Sequence, residues 1–303
     1  MKIENKLLDL QENTSVALGV FDGVHIGHQA VIGEAVNGRE NGLVPVVFTF
    51  DLNHERPTHK KGQETLLTPR LKEQKIAELG AELMLNIPFE EVRTLSPEAF
   101  VEQILFHRLR AKQVVCGFDF RFGRDAAGDS ALLERLGEAL CIRVVVVPPM
   151  LDRGEPVSST RIRHYLREGN ISAANRLLGY EYCYDMTVVD GLKNGRKMGI
   201  PTINQEFAPG YLIPKFGVYA SRVLLDGKEY LGMTNIGVKP TIAGNRNPLS
   251  ETFIIGVDRN LYGQNIRVSL FQYLREERKF SGLAELFTTV KGDIDRVKAM
   301  LPK

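Results

Sequence analysis

Residues 19–28 read Gly19-Val20-Phe21-Asp22-Gly23-Val24-His25-Ile26-Gly27-His28, and they follow the short apolar run Val16-Ala17-Leu18. The run predicts a buried strand, and the residues after His28 predict a helix. Glycine lets the backbone approach a ligand closely, and the first turn of a helix offers N–H groups and the positive end of its dipole. With two imidazoles three residues apart, this junction predicts a site for nucleotide phosphates. The alternative is a tight turn with two incidental histidines.

The composition is that of an ordinary globular protein. The chain has 303 residues, with 43% hydrophobic and 25% charged residues and a net charge of +2. This length suggests two domains, and the charge gives no reason to expect nucleic acid or a membrane surface as a partner. The three cysteines form no CxxC pair, so we expect neither a disulfide framework nor a zinc knuckle. No apolar run reaches the ~20 residues of a membrane span, and residues 1–6 lack the apolar core of a signal peptide. We expect a cytoplasmic protein.

The first half of the chain alternates strand and helix patterns. Thr68-Pro69 and Ser96-Pro97 each predict a helix start, because Thr and Ser cap helices and Pro favours the first position. Apolar runs predict strands at 43–50, 83–87, 114–116 and 142–147. Strands of this kind between helices indicate a parallel sheet covered on both faces, with ligands at the carboxyl ends of its strands. The opening stretch lies at one such end.

The second half changes character after residues 179–184. Short strand patterns dominate at 218–225, 251–257 and 266–274, and Asp226-Gly227 predicts a hairpin turn. A helix with Ser281 as its N-cap closes the chain. The pattern favours a small antiparallel barrel or sandwich with a helix against it. We therefore expect two domains, residues 1–182 and 183–303.

Two further segments indicate the same N-terminal site. Ser158-Ser159-Thr160-Arg161-Ile162-Arg163 offers hydroxyls and planar guanidinium groups to phosphate, although a capped helix with two solvated arginines is the alternative. Gly117-Phe118-Asp119-Phe120-Arg121-Phe122-Gly123 offers aromatic faces that can bound a planar ring, which Asp119 can orient. Each phenylalanine taken alone is more often a core residue.

The chain resembles the nucleotidyltransferase superfamily in two places, at His25-Ile26-Gly27-His28 and at residues 158–163. With residues 117–123 added, it resembles more specifically the adenylyltransferase module of bacterial bifunctional riboflavin kinase/FAD synthetases. The resemblance implies a Rossmann-like α/β nucleotidyltransferase domain in which the histidine motif and the Ser-Ser-Thr loop hold the ATP triphosphate. It implies catalytic roles for His25, His28 and Arg161. It implies nucleotide or flavin contacts for Gly19, Phe21, Asp22, Gly23, Gly27, Asp119, Ser158, Ser159, Thr160 and Arg163. Where the family usually has Phe-x-Pro-His-Pro, this chain has Phe50-Asp51-Leu52-Asn53-His54.

A second glycine-rich segment contains Gly191, Gly195-Arg196 and Gly199-Ile200-Pro201-Thr202-Ile203-Asn204. It is not a Walker loop, since no Gly-Lys-Ser/Thr follows. A threonine hydroxyl and an asparagine carbonyl can hold Mg²⁺ beside phosphates, and a turn-rich entry into a barrel is the alternative. Segments resembling the riboflavin kinase family follow in the family's order, at 217–220, 235–241, 251–253, 261–263 and 274–280.

This second resemblance implies that Thr202 and Asn204 bind magnesium and ATP. It implies that Glu251 takes the proton from the ribityl 5′-hydroxyl, although an isolated Glu is usually a solvated surface group. It implies that Arg275 lies beside the flavin pocket, and that the ligand-binding loop contains Gly191, Gly195, Arg196, Gly199 and Pro201. Asp190 and Phe253 stand where the family often has histidines.

The function implied is a bifunctional transferase that makes FMN from riboflavin and FAD from FMN, with ATP as co-substrate and Mg²⁺ as cofactor. The expected partners are these small molecules, with no nucleic acid and no membrane, and homo-oligomerisation is left open. Two alternatives are a kinase that has lost adenylyl transfer, suggested by the changed residues 50–54, and a non-catalytic flavin or nucleotide sensor. Such a sensor would keep glycines and lose charged groups, whereas this chain keeps both.

Overall fold

The computed structural model describes residues 1–51, 63–191, 199–238 and 248–300. The chain divides into two compact units, Met1–Ser159 and Thr160–Lys303. The first is an α/β unit and the second is built on a β-barrel, so the predicted fold class is confirmed. Within the described ranges, no helix combines the length and apolarity needed to cross a membrane.

The N-terminal unit is built around parallel strands joined by helices. Its main strands are β1 (Lys2–Glu4), β2 (Thr14–Leu18), β3 (Val44–Phe50), β4 (Leu83–Ile87), β5 (Ala111–Gly117) and, after two short strands β6 (Arg121–Phe122) and β7 (Gly128–Asp129), β8 (Arg143–Val147). Its helices are α1 (Ile26–Asn37), α2 (Pro69–Glu78), α3 (Pro97–Ala99), which continues as a π-helix (Phe100–Arg108), and α4 (Ser130–Ala139). A short hairpin, β9 (Leu151–Asp152) and β10 (Glu155–Pro156), follows β8.

The six main strands form one sheet in the order β1-β4-β3-β2-β5-β8, with every pair parallel. Strand β2 lies at its centre, and Val16, Ala17 and Leu18 are fully or almost fully buried. Because all the strands are parallel, their carboxyl ends share one edge of the sheet. The junction at residues 19–28 begins at the centre of that edge.

The predicted helix starts in this unit are confirmed. The Thr68 hydroxyl accepts a hydrogen bond from Leu71 N at 3.3 Å, and the Ser96 hydroxyl accepts one from Ala99 N at 3.1 Å. Each threonine or serine is followed by a proline in the first turn. The side chains thus satisfy backbone N–H groups that lack partners within the helix.

The C-terminal unit begins with α5 (Ser159–Glu168, whose first residue belongs to the N-terminal unit) and α6 (Ile171–Leu178). The barrel strands are β11 (Tyr182–Val189), β12 (Thr202–Glu206), β13 (Gly217–Leu225), β14 (Lys228–Val238), β15 (Pro248–Ile254) and β16 (Asn265–Arg275), and helix α7 (Leu283–Ala299) ends the unit. They form a closed antiparallel barrel in the order β11-β12-β15-β14-β13-β16.

Helix α7 packs on the outside of the barrel. Ile294 joins Val218 and Met233 in a small apolar cluster, against which Phe253 also packs. The helix starts one residue later than the sequence predicts, because Gly282, and not Ser281, is the N-cap. The Ser281 amide and hydroxyl both donate to the Glu285 carboxylate. These two hydrogen bonds lower the pKa of Glu285.

A chain of buried hydroxyls runs through the barrel interior. Thr234 Oγ1 lies 2.8 Å from the hydroxyls of both Ser221 and Thr252, and the Tyr184 hydroxyl lies 2.6 Å from that of Ser250. Burial raises the pKa of Tyr184, so its phenol keeps its proton. Because residues alternate along a strand, Ser250 and Thr252 point inward and the intervening residue of β15 points to the outer face.

We predict that Thr234→Val lowers the free energy of unfolding by about 1–3 kcal/mol, because it leaves two buried hydroxyls without a shared partner. All nine tyrosines lie beyond residue 160 and the chain has no tryptophan, so tyrosine fluorescence follows the C-terminal unit in a urea titration. Thr187→Val, at an exposed position of β11, is the matched control. Equal stabilities for the two variants would show that the hydroxyl chain contributes nothing.

Candidate active sites

The turn that leaves β2 has an unusual backbone. Phe21 and Val24 have φ of 52° and 38°, in the left-handed region, and Gly23 has φ of 84°. A β-branched residue such as valine rarely adopts a positive φ, so surrounding contacts must hold this turn in place. The amide of Val24 closes the turn by donating to the carbonyl of Phe21 at 3.3 Å.

Asp22 connects this turn to two distant segments. Its Oδ1 accepts a hydrogen bond from Leu66 N at 2.9 Å, and its carbonyl accepts one from Ser159 Oγ at 2.8 Å. The Thr49 hydroxyl donates to the carbonyl of Val20 at 3.0 Å. The turn is therefore anchored to β3, to the segment before α2 and to the start of α5.

Lys72 supports the same region from helix α2. Its Nζ is buried and donates to Thr49 Oγ1 at 2.8 Å and to the carbonyl of Phe50 at 3.2 Å. Burial lowers the pKa of Lys72 to about 8, although Asp22 and Asp51 act in the opposite direction. The amine therefore binds two neighbouring residues at the end of β3, and one of them, Thr49, holds the turn.

The two predicted histidines are in direct contact. His25 caps α1, and its Nδ1 accepts a hydrogen bond from His28 N at 3.3 Å. The two rings stack with centroids 3.5 Å apart, and the edge of Phe21 meets the His28 ring. A Cβ on Gly27 would lie 3.3 Å from the His25 ring, so a glycine here leaves room for it. Because Nδ1 is an acceptor, neutral His25 carries its proton on Nε2, which is then a donor.

A cavity of about 820 Å³ opens at this edge of the sheet. It brings together residues from the three segments that the sequence singled out. The predicted site residues that line it are Gly19, Phe21, His25, Gly27, His28, Asp119, Ser158 and Ser159. Asp22 and Gly23 belong to the turn but do not line the cavity, and Asp22 instead anchors the turn.

One wall of this cavity is aromatic. Phe118, Phe120 and Phe122 all line it, but Phe122 is 6% exposed and Phe118 is 45% exposed, so their packing differs. Arg93 and Arg121 line the cavity as well, and sequence reasoning assigned neither. Arg93 belongs to no recognised motif. Arg121 lies between Phe120 and Phe122, in a segment whose aromatic residues suggested a ring-binding wall and no role for an arginine.

The segment 158–163 is divided between the cavity and helix α5. Ser158 and Ser159 line the cavity, whereas Arg161 and Arg163 follow in the first turns of α5. Arg163 is buried, and the guanidinium of Arg161 lies 3.4 Å from the Tyr165 hydroxyl. Phosphate contacts of Thr160, Arg161 and Arg163 stay predictions, because these residues begin the second compact unit.

The barrel carries the second group of predicted residues. Asn204 of β12 lies directly opposite Glu251 of β15, and Thr202 lies opposite Phe253. Directly paired residues of antiparallel strands share a face, so Asn204 and Glu251 are neighbours on the outside of the barrel. Asn204 is buried and Glu251 is half-buried. A Cβ on Gly191 would lie 2.2 Å from the Asn204 amide, so a larger residue at this position would displace that amide.

Two of the remaining residues of the glycine-rich loop, Gly199 and Pro201, are described by the structure. Gly199 has φ of 70°, and a Cβ added there would meet no atom within 4 Å. Pro201, two residues later, is half-buried. Predictions on Leu52, Asn53, His54, Gly195, Arg196 and residues 239–241 lie outside the described residues.

Arg275 is bound to helix α7. Its Nε and one terminal nitrogen lie 2.8 Å from Asp293 Oδ2, and Asp293 is buried. Its other terminal nitrogen donates to the carbonyl of Glu276, and its guanidinium lies 5.9 Å from the centre of the Phe280 ring. Arg275 therefore ties the end of β16 to the last helix, and its predicted place beside a flavin stays a prediction.

Comparison with protein families gives two matches. Residues 8–161 match the model described as FAD synthetase, and residues 178–301 match the model described as riboflavin kinase. Between them they cover most of the chain, and the interval between them contains most of α5 and all of α6 except its last residue.

Comparison with individual proteins agrees. Bifunctional riboflavin kinase/FMN adenylyltransferase of Listeria monocytogenes is 36% identical, with 96% of this chain and 93% of that protein covered. The protein of the same name from Bacillus subtilis is 36% identical over 93% and 91% of the two chains. A crystal structure described as a macrolide-efflux protein from Streptococcus pneumoniae has a TM-score of 0.87 and 28% identity, and covers 98% of this chain and 99% of its own.

We predict that the free energy of unfolding of the wild type, minus that of Lys72→Met, increases between about pH 8 and pH 10.5. The pKa of Lys72 is lowered from 10.5 to about 8, so in this window the unfolded chain binds a proton that the folded protein has lost. The free energy of unfolding therefore increases with pH, by up to about 3 kcal/mol, and Lys72→Met lacks this component.

Urea unfolding followed by far-UV circular dichroism at several pH values measures the difference. Lys112→Met, at an exposed position of β5, is the control for loss of a lysine. A difference between wild type and Lys72→Met that stays constant across this window would contradict the prediction.

Proposed function

We infer the roles of individual residues from one premise: the chain belongs to the family of bifunctional riboflavin kinases/FMN adenylyltransferases. It transfers a phosphoryl group from ATP to riboflavin, giving FMN, and joins FMN to the AMP part of ATP, giving FAD and pyrophosphate. The FAD synthetase part is N-terminal and the riboflavin kinase part is C-terminal. We place the functional boundary between residues 182 and 183, directly after the first residue of the first barrel strand, Tyr182–Val189.

We assign adenylyl transfer to the cavity of the N-terminal unit. One observation carries this assignment: the histidine pair, Ser158-Ser159 and the phenylalanine-rich segment 117–123 meet around one cavity although they are remote in sequence. Its aromatic wall suits the planar ring of a flavin, and its polar groups suit phosphates. Asp119 lies in the wall and would orient the ring.

In this cavity an oxygen of the FMN phosphate attacks the α-phosphorus of ATP, and the bond from that phosphorus to the bridging oxygen breaks. Charge builds on the departing pyrophosphate. His25, His28 and the backbone N–H of Ser159, in the first turn of α5, would donate hydrogen bonds to it, joined by Arg161, because preorganised donors stabilise charge that develops in the transition state. No covalent intermediate is needed, and burial raises the pKa of the nearby Cys116 thiol to about 12.

We assign phosphorylation of riboflavin to the outer face of the barrel. Glu251 would take the proton of the ribityl 5′-hydroxyl as its oxygen attacks the γ-phosphorus, and ADP would leave. A general base must come within hydrogen-bond reach of its proton. The half-buried position of Glu251 beside Asn204 suits this role, since the face carries both the base and a neighbouring polar group.

Thr202 and Asn204 would hold Mg²⁺ in the kinase site. Hydroxyl, amide and phosphate oxygens are hard donors of the kind that Mg²⁺ prefers. Mg²⁺ is commonly held this way, with few protein ligands beside substrate phosphates. When bound, it would offset phosphate charge. Because Gly191 has no side chain, it leaves space for the Asn204 amide at this position.

We also propose a cytoplasmic location, where ATP is available, and small molecules as the partners. The absence of nucleic-acid and membrane partners stays a prediction from the composition.

We predict that single substitutions separate the two activities. His28→Ala lowers the rate of FAD formation by about 10²–10³-fold because a donor to the leaving group is lost, while FMN formation from riboflavin continues. Glu251→Ala lowers FMN formation by about 10²–10⁴-fold because the base is lost, while FMN supplied in the medium is still converted to FAD. Chromatography of both products over time, with riboflavin or FMN, ATP and Mg²⁺, measures both rates.

His107→Ala, which removes an exposed histidine, is the control for the first substitution and should leave both rates unchanged. Loss of both activities in either folded variant would refute the assignment of sites. FMN accumulating without FAD in the unchanged protein would favour the kinase-only alternative.

We predict that Asn204→Ala raises the Mg²⁺ concentration needed for half-maximal FMN formation by about tenfold or more, because a ligand worth at least ~1.4 kcal/mol is lost. The measurement is a Mg²⁺ titration at saturating ATP. Conversion of supplied FMN to FAD by the same protein is the internal control and should keep its Mg²⁺ dependence. An unchanged titration curve for FMN formation would exclude Asn204 as a ligand.

A further inference from the structure

A third polar residue continues the row formed by Asn204 and Glu251. Asn235 of β14 lies directly opposite Glu251, on the side away from Asn204. Opposed residues of antiparallel strands have Cβ atoms about 4.5–5.5 Å apart on the same face. The amide of Asn235 is therefore a direct neighbour of the proposed base, and neither proton removal nor magnesium binding makes use of it.

Glu277 determines which way this amide points. Asn235 Nδ2 donates to Glu277 Oε1 at 2.9 Å. A carboxylate accepts hydrogen bonds and repels an amide oxygen, so the reversed amide orientation is disfavoured. The carbonyl oxygen of Asn235 is thus held on the side away from Glu277, where it can accept a hydrogen bond.

Gly237 provides the space for this carboxylate. It lies two residues after Asn235 and hence on the same face of β14. A Cβ at this position would lie 2.1 Å from Glu277 Oε1. Glu277 therefore lies across the strand in a space that a larger residue would fill.

We propose that Asn235 determines acceptor specificity in the kinase site, and that Glu277 is a positioning residue for it. The Oδ1 of Asn235 accepts a hydrogen bond from the ribityl 4′-hydroxyl, the group adjacent to the 5′-hydroxyl that is phosphorylated. This inference rests on the proposed role of Glu251, because the 5′-hydroxyl must reach that base for its neighbour to reach Asn235.

The chemistry of the acceptor supports this assignment. Adjacent hydroxyls of a polyol lie on neighbouring carbons, so they can meet neighbouring side chains of one cross-strand row. A hydroxyl taken out of water needs an acceptor, and a site built to bond it discriminates against an acceptor that lacks it. The bond to Glu277 also prepares the amide before the substrate arrives, which lowers the entropic penalty of binding.

The test compares riboflavin with 4′-deoxyriboflavin as acceptors. For the unchanged enzyme we expect kcat/KM to be about 10- to 100-fold lower with the deoxy compound. Asn235→Ala should lose about the same factor with riboflavin, mainly in KM, and should barely distinguish the two acceptors. Glu277→Ala should show a smaller loss in the same direction. Full discrimination retained by Asn235→Ala would overturn the proposal.

Glu276→Ala is the matched control, because that neighbouring exposed carboxylate pairs with Lys215 and should leave discrimination unchanged. Should Asn235→Ala fail to fold, Gly237→Ala displaces the Glu277 carboxylate with both polar side chains still present, and it should weaken discrimination. Gly292→Ala, in open space on α7, is its control. Unchanged discrimination in Gly237→Ala would then overturn the proposal.

The same assays separate two kinds of failure. If Glu251→Ala retained full kinase activity, the proposed function of the face would be wrong. If Glu251→Ala were inactive while Asn235→Ala still discriminated between the acceptors, only the role of Asn235 would be wrong. Tyrosine fluorescence of each variant reports whether the barrel unit is folded.

Discussion

The N-terminal site depends on the anchoring of a strained turn. Between β2 and α1 the chain places Phe21 and Val24 in the left-handed region, which costs of order 1–3 kcal/mol for each such residue. Asp22 offsets this by binding Leu66 and Ser159, and Thr49 holds the carbonyl of Val20. The same bonds bring the start of α5 to the histidines, so the contacts that stabilise the turn also assemble the cavity.

In the barrel, the register of the paired strands places the site residues. Inside, paired hydroxyls on β13, β14 and β15 fix how these strands are aligned. Outside, the same alignment sets Asn204, Glu251 and Asn235 side by side. A slip of one residue would turn every one of these side chains to the other face. The interior polar chain and the exterior site are thus two consequences of one strand pairing.

Local patterns predicted much of this from the sequence. The parallel strands, the caps at Thr68 and Ser96, and the barrel with its last helix all follow from periodicity and capping preferences. The site residues came from motifs and from a resemblance. Long-range pairings could not be predicted: nothing in the sequence brings Leu66 to Asp22 or Glu277 to Asn235. The first residue of a helix also depends on individual side-chain contacts. Ser281 was expected to be the N-cap of α7, but its hydroxyl donates to Glu285 and Gly282 is the N-cap.

The two assignments together require that separate sites act in succession through FMN. Mixing full-length His28→Ala with full-length Glu251→Ala, and following FAD formed from riboflavin, ATP and Mg²⁺, examines this requirement without any isolated domain. We expect that neither variant alone makes appreciable FAD, and that the mixture does, because FMN released by the first protein is adenylylated by the second. A mixture that makes no more FAD than either variant alone would show that the two activities do not reside in separate sites.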